Sequence, residues 1–80
     1  MTIQLPTSVE MVIHQLADLL EISSSELAPS DDLFIAGLDS IRLMLLVDRW
    51  SALGMDLDPG DLLNDPTPRG FWEAIQRAGS

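Results

Sequence analysis

Apolar side chains recur every three or four positions in two long stretches of this chain. The first stretch covers about residues 7 to 21, and Thr7 and Glu10 near its start stand at the spacing of a capping box. The second stretch covers residues 39 to 53, and Gly54 after it supplies a C-terminal stop. Such spacing places apolar side chains on one face of a helix. The two stretches therefore predict two amphipathic α-helices.

The rest of the chain adds one more long helix and no strand. Thr67 followed by Pro68 is a typical helix start, and the apolar residues after it predict a helix to about residue 78. Residues 55 to 66 are rich in aspartate, glycine and proline, which allows at most one short helical turn. No segment alternates apolar and polar residues as a half-buried strand does. The predicted fold class is all-α: a small four-helix bundle, with three main helices and one short helix, in a single domain over residues 1 to 80.

A long first loop separates the first two predicted helices. Residues 22 to 38 contain three consecutive serines and a proline, and loops longer than about 12 to 15 residues are uncommon in compact domains and often functional. The loop also contains apolar side chains, which we expect to be buried and to pin it to the core: Leu27, Leu33, Phe34 and Ile35.

Composition and charge exclude several classes of function. A chain of 80 residues buries only about 60% of its unfolded surface, which leaves little room for an internal catalytic cleft. Thirteen acidic against four basic side chains give a formal charge of -9, which repels nucleic acid and anionic membranes. The longest apolar run has five residues, against about 20 for a membrane span. The first residues show no targeting signal, so we expect a cytoplasmic monomer that binds neither nucleic acid nor membrane.

The chain is poor in cysteine and histidine, the side chains that most often bind structural zinc or activate a serine. It has no cysteine and a single histidine, His14. A structural zinc site needs several Cys or His ligands, and a serine-histidine-aspartate triad would have to be built around that one imidazole. Asp31 and Asp32 fall short of the oxygen-rich loop that calcium needs. We expect no metal site, no catalysis by the chain itself, and a His14 side chain at the surface or the edge of the core.

The candidate functional residues lie just before and at the start of the second predicted helix. Gly37 lets the chain turn sharply, Asp39 can cap the first free amide groups, and Ser40 then lies in the first helical turn with its hydroxyl toward solvent. No His, Lys or Cys lies nearby in sequence to take the Ser40 proton, so the hydroxyl is presented without being activated. The partial positive charge of a helix N-terminus stabilises a phosphate by about 0.3 to 1 kcal/mol. A phosphodiester on Ser40 would therefore be well placed.

The stretch from Gly37 to Ile41 resembles the Gly-x-Asp-Ser-aliphatic motif of the carrier proteins of fatty-acid, polyketide and nonribosomal peptide synthesis. The resemblance extends along the whole chain. It implies an acyl-carrier-protein-like fold and a 4'-phosphopantetheine arm attached covalently to Ser40, with Asp39 and Gly37 at the attachment site. In that family a separate magnesium-dependent transferase takes the arm from coenzyme A, and the thiol of the arm holds an acyl group as a thioester. The resemblance thus implies a carrier and not an enzyme.

The second predicted helix favours one branch of that family. Fatty-acid carriers usually have a strongly acidic second helix, whereas here Asp39 and Asp48 alternate with Arg42 and Arg49. The sequences Gly-Leu-Asp-Ser-Ile-Arg-Leu-Met, Asp-Arg-Trp and Pro-Thr-Pro-x-x-Phe-Trp resemble aryl carrier domains, which hold salicylate- or dihydroxybenzoate-type units in siderophore and related pathways. The resemblance implies as partners a phosphopantetheinyl transferase, an adenylating enzyme that activates the aryl or acyl group, and a downstream condensation or acyltransfer enzyme.

Some features depart from the aryl carriers. The chain has no fused isochorismatase or adenylation domain, which predicts a free-standing carrier. Pro59 with Gly60 stands where some aryl carriers place a bulky apolar contact residue, which leaves the downstream partner open. A polyketide acyl carrier or a peptidyl carrier is one alternative. Others are a cofactor-free helical adaptor, whose Ser40 only caps a helix, and a self-contained hydrolase that uses His14.

Helical spacing gives the second predicted helix an inner and an outer apolar face. The inner face, which should pack in the bundle, carries Leu43, Leu46, Val47 and Trp50. The outer face lies beside Ser40, and an exposed apolar strip there is what a transient docking surface requires. We expect these residues of the helix to contact partners: Ile41, Met44, Leu45 and Arg42. The alternative is that so small a domain needs Ile41, Met44 and Leu45 in its core, as we expect for Trp50 and Trp72.

Overall fold

The computed structural model describes residues 5–79, which form four α-helices and one 3₁₀ helix. The elements are α1 Val9–Leu20, the 3₁₀ helix Ser24–Glu26, α2 Ser40–Ala52, α3 Pro59–Asn64 and α4 Pro68–Ala78. No strand occurs among the described residues, and none of their helices has the length and apolar character to cross a membrane. The predicted all-α bundle of three main helices and one short helix is confirmed.

Helix α1 begins one residue later than the capping-box pattern predicted. The Ser8 hydroxyl accepts a hydrogen bond from the Met11 N–H at 3.3 Å, so Ser8 is the N-cap and the predicted pairing of Thr7 with Glu10 is wrong. The Thr7 hydroxyl lies 3.1 Å from the Met11 sulfur instead. Serine is preferred over threonine at the N-cap, and this register gives both hydroxyl groups a partner.

One apolar core joins the helices. Its largest fully buried side chain is Trp50 of α2, whose indole N–H donates to the Gln15 side-chain oxygen of α1 at 2.9 Å. Trp72 of α4 is only partly buried and packs against this core, whereas His14 of α1 is exposed. The predicted inner face of α2 is confirmed, because each of its residues is buried: Leu43, Leu46, Val47 and Trp50.

The loop between α1 and α2 is pinned to the core by three leucines, Leu27, Leu33 and Leu38, all of them buried. The Leu33 N–H also donates to the Pro66 carbonyl oxygen at 2.8 Å, which ties the loop to the segment before α4. Burial of Leu27 and Leu33 is as the sequence predicted. The loop is therefore an ordered part of the fold that leads directly to the start of α2.

The expectation that Phe34 and Ile35 are buried is wrong. Phe34 is 41% exposed and Ile35 is 86% exposed. The Asp32 carboxylate accepts hydrogen bonds from both of their backbone N–H groups, at 2.9 and 3.4 Å, and so closes a tight turn. Because Leu33 and Leu38 on either side already occupy the core, the turn between them is held at the surface.

The 3₁₀ helix Ser24–Glu26 lies where the sequence predicted irregular loop. It is stabilised by a capping box, in which the Glu26 carboxylate accepts the Ser23 N–H at 3.0 Å. The signal was present in the sequence as Ser23 followed three positions later by Glu26. The run of serines concealed it, because each of them has the same local preference for turns and caps.

Helix α3 is longer than the single turn that the sequence predicted. It has six residues, about 1.7 turns, and the Asp58 carboxylate caps it by accepting the Gly60 N–H at 2.9 Å. Asp58 followed by Pro59 is the same combination of cap and proline that predicted α4 at Thr67 and Pro68. The glycine and second proline nearby obscured that signal.

Candidate functional site

Ser40 is the first residue of α2, and it is exposed. Asp39 before it has an extended backbone and is the N-cap, since its carboxylate accepts the Arg42 N–H at 2.8 Å. The Asp39 carbonyl oxygen accepts the Leu43 N–H at 2.9 Å, which is the first bond of the helical ladder. The predicted capping role of Asp39 is confirmed, and the helix begins where the Gly-x-Asp-Ser motif places it.

Gly37 makes the turn that leads from the loop into α2. Its φ angle of 119° is one that residues with a Cβ atom rarely adopt. A Cβ atom added there would meet nothing within 4 Å, so the requirement for glycine comes from the backbone angle and not from crowding. Leu38 follows, buried, with its N–H donating to the Leu33 carbonyl oxygen at 2.9 Å. This turn and this anchor leave Ser40 at the surface.

Arg42 points back toward the loop. Its Nη1 donates to the Gly37 carbonyl oxygen at 3.2 Å, and its Nη2 lies 3.9 Å from a carboxylate oxygen of Glu21, the residue after α1. The Arg42 side chain is 36% exposed, against 83% for that of Glu21. Sequence reasoning placed Arg42 only among the partner contacts, because nothing in the spacing of residue types signals a hydrogen bond to a backbone oxygen five positions earlier.

An apolar groove of about 400 Å³ lies beside Ser40. Ile41, Met44 and Leu45 of α2 form its apolar lining, and Asp48 lines it as well. Ile41 is 75% exposed, while Met44 and Leu45 are nearly half exposed. The predicted outer face is therefore confirmed as exposed, and the alternative that these side chains belong to the core is wrong.

The carboxylates of Asp31 and Asp32, in the loop before α2, accept hydrogen bonds from backbone N–H groups. The Asp31 carboxylate accepts the Ala28 N–H at 2.8 Å, and Asp32 closes the turn described above. Within the described part of the chain, no three His, Cys, Asp or Glu side chains are grouped so that they could hold a metal ion. What this region offers chemically is an exposed Ser40 hydroxyl at a helix N-terminus, where the helix dipole favours a phosphate group.

The family described as phosphopantetheine attachment site matches residues 11–75 of this chain. The chain belongs to this family. It is a carrier domain whose cofactor is phosphopantetheine, as the resemblance of its motif implied. The exposed Ser40 at a helix N-terminus suits the attachment of a phosphate-linked arm. No solved structure matches the chain.

Several curated relatives contain a segment similar to this chain. The chain is 43% identical over 61 residues to phenyloxazoline synthase MbtB of Mycobacterium sp. (strain MCS), which covers 76% of this chain and 5% of that protein. It is 34% identical over 58 residues to an isochorismatase of Bacillus subtilis, covering 72% of this chain and 19% of the relative. It is 33% identical over 73 residues to enterobactin synthase component B of Escherichia coli, covering 91% of this chain and 25% of the relative. The chain thus spans a quarter or less of the length of these relatives.

Proposed function

We propose that this chain is an aryl carrier of siderophore-type metabolism. It holds an aryl or acyl group as a thioester on a 4'-phosphopantetheine arm at Ser40 and delivers it to successive biosynthetic enzymes. The observation that carries the proposal is the exposed Ser40 at the start of α2, inside the part of the chain that matches the family. The names of its relatives, a phenyloxazoline synthase and an enterobactin synthase component among them, support the aryl class.

The residues around Ser40 leave its side chain exposed, and the catalytic groups for its modification belong to a phosphopantetheinyl transferase. The side chains that share the groove with Ser40 include no imidazole, amine or thiol, and the one carboxylate among them, that of Asp48, belongs to a residue about two helical turns away from Ser40 in α2. In the transfer, the Ser40 oxygen forms the bond to phosphorus, the nucleotide portion of coenzyme A leaves, and the hydroxyl proton passes to a base of the transferase. Gly37 and Asp39 hold the start of the helix, and the Asp39 carboxylate would hold the magnesium ion in the complex with the transferase.

The groove lined by Ile41, Met44 and Leu45 is the docking surface for an apolar patch of the adenylating enzyme, and later of the condensation or acyltransfer enzyme. These side chains are exposed although they are apolar, and methionine adapts to several partners. A small patch gives brief contacts, which a carrier needs because it must leave each partner before it meets the next. The tether raises the effective concentration of the load, so brief contacts suffice. The use of coenzyme A as the source of the arm supports a cytoplasmic location for the carrier.

Modification at Ser40 is tested by incubating the protein with coenzyme A and a broad-specificity phosphopantetheinyl transferase. Intact-protein mass spectrometry should show the gain of one phosphopantetheinyl group. Ser40→Ala should show none, while Ser51→Ala, which removes an exposed hydroxyl at the other end of α2, should gain the group normally. An unmodified wild-type protein, or a gain that survives Ser40→Ala, contradicts the proposal.

The class of load is tested on the modified protein with adenylating enzymes that activate salicylate, dihydroxybenzoate or single amino acids. Formation of an aryl thioester supports the proposal, and loading by amino acids alone identifies a peptidyl carrier. Met44→Ala should lower kcat/KM for aryl loading by about fivefold or more, since interface contacts that matter contribute about 1 kcal/mol or more. Leu53→Ala is the matched control, because Leu53 is exposed to a similar extent, 40% against 46% for Met44, but lies at the far end of α2.

A further inference from the structure

We propose that Arg42 is a positioning residue for modification of Ser40: its guanidinium holds the Gly37 carbonyl oxygen and thereby fixes the last turn of the loop before the serine. This role rests on the proposed function, because it concerns how Ser40 meets the transferase. It differs from the role that the sequence suggested, in which the Arg42 side chain touches a partner.

Arg42 closes the segment around Ser40 from two sides. Its backbone N–H donates to the Asp39 carboxylate at 2.8 Å, which caps the helix. Its side-chain Nη1 donates to the Gly37 carbonyl oxygen at 3.2 Å. Ser40 lies between the two partners of each hydrogen bond in the chain. Arg42 therefore holds the segment on both sides of Ser40, once through its backbone and once through its side chain.

The peptide unit between Gly37 and Leu38 is held at both edges. A peptide unit is planar, so its C=O and N–H groups turn together. The Leu38 N–H donates to the Leu33 carbonyl oxygen at 2.9 Å, and the Gly37 C=O of the same unit accepts from Arg42. Loss of the Arg42 contact would leave this unit held by one bond only, next to a glycine whose backbone is free to rotate.

Glu21 adds a weaker influence. It caps the end of α1 in a left-handed conformation, with φ of 59°, and its carboxylate lies 3.9 Å from Arg42 Nη2. The Glu21 side chain is 83% exposed, and ion pairs this exposed contribute little to stability. The Gly37 carbonyl oxygen is therefore the contact of Arg42 that positions the turn.

Fixing the turn should act on the apparent affinity of the transferase for the carrier. Suppose that only a fraction of the carrier molecules has the turn in the conformation that the transferase binds. The apparent dissociation constant then equals the intrinsic dissociation constant divided by that fraction. A bound carrier is already in the competent form, so the maximal rate stays the same. Loss of Arg42 should therefore raise KM for the carrier and leave kcat unchanged.

The experiment compares Arg42→Met with Arg49→Met, which removes an exposed arginine from the last turn of the same helix. Amide hydrogen exchange is measured on the unmodified proteins, and KM and kcat for the carrier are measured with a phosphopantetheinyl transferase and coenzyme A. For Arg42→Met we expect about fivefold faster exchange at Leu38, since loss of one charge-assisted hydrogen bond at a partly exposed site multiplies the open population of the turn by about that factor. KM should rise by a smaller factor, because it depends on the fraction of molecules whose turn stays closed. Arg49→Met should change neither.

Arg42→Lys keeps the charge but loses the planar fork of donors, so it should give a smaller rise in KM than Arg42→Met. It also provides the comparison if Arg42→Met does not fold. A raised KM with unchanged exchange at Leu38 would identify Arg42 as a direct partner contact and overturn the proposal. Faster exchange with an unchanged KM overturns it as well. Failure of the wild-type protein to be modified refutes the proposed function instead, and the exchange data still show whether Arg42 holds the turn.

Discussion

Replacing Leu33 with alanine measures how firmly the long loop is held. Leu33 is completely buried although it lies outside the helices. The substitution removes three carbon atoms, worth about 2.4 kcal/mol of transfer free energy, and the cavity raises the total to about 3 to 5 kcal/mol. A core of this size rarely supplies more than about 3 to 5 kcal/mol. Leu33→Ala should therefore bring the free energy of unfolding close to zero.

Ile35→Ala is the matched control. It removes the same number of carbon atoms from the same loop, but Ile35 is 86% exposed. We expect the free energy of unfolding of this variant to stay within about 0.5 kcal/mol of wild type. Urea titrations followed by circular dichroism compare the two variants, and Leu33→Ala should also lower the thermal midpoint by at least about 10 °C. Equal losses for both variants, or a loss below about 1 kcal/mol for Leu33→Ala, would refute the view that this leucine anchors the loop.

Further variants test local contacts by the same denaturation measurements. Asp39→Ala should lower the free energy of unfolding by about 1 kcal/mol through loss of the N-cap, whereas Asp39→Asn should keep the cap; equal losses in both would contradict the capping role. Gly70→Ala should destabilise by about 1 to 3 kcal/mol, because its Cβ atom would collide with the Asp65 carbonyl oxygen, and the stabilisation that alanine usually gives in helices would be the contrary result. Trp50→Phe should destabilise by about 1 to 3 kcal/mol, since it leaves a cavity and removes the donor to Gln15, and an unchanged midpoint would show that neither matters.

Local sequence patterns were reliable where the stabilising contacts are local. The start of α2 follows from the cap at Asp39 and the turn at Gly37, and both involve residues within a few positions of Ser40. The alternation of inner and outer faces on α2 follows in the same way, because helical spacing alone decides which side chains share a face. The 3₁₀ helix and the length of α3 also have local signals, in Ser23 with Glu26 and in Asp58 with Pro59, although neighbouring serine, glycine and proline residues obscure them.

The contacts that sequence reasoning missed depend on how distant segments meet. Leu33 and Ile35 are equally apolar neighbours in one loop, yet one is completely buried and the other 86% exposed. Their burial depends on where the loop crosses the segment before α4, through the Leu33 hydrogen bond to Pro66. The Arg42 contact likewise requires the loop end to return over the first turn of α2.

The three long helices, the position of Ser40 at a helix start and the apolar stripe beside it follow from the amino-acid sequence, because hydrogen bonds and helical spacing over a few residues specify them. The burial of particular loop side chains and the position of the Arg42 guanidinium depend instead on how distant segments pack together. Space in a core is limited, and which side chains occupy it depends on every segment that packs there, not on the preference of any one residue.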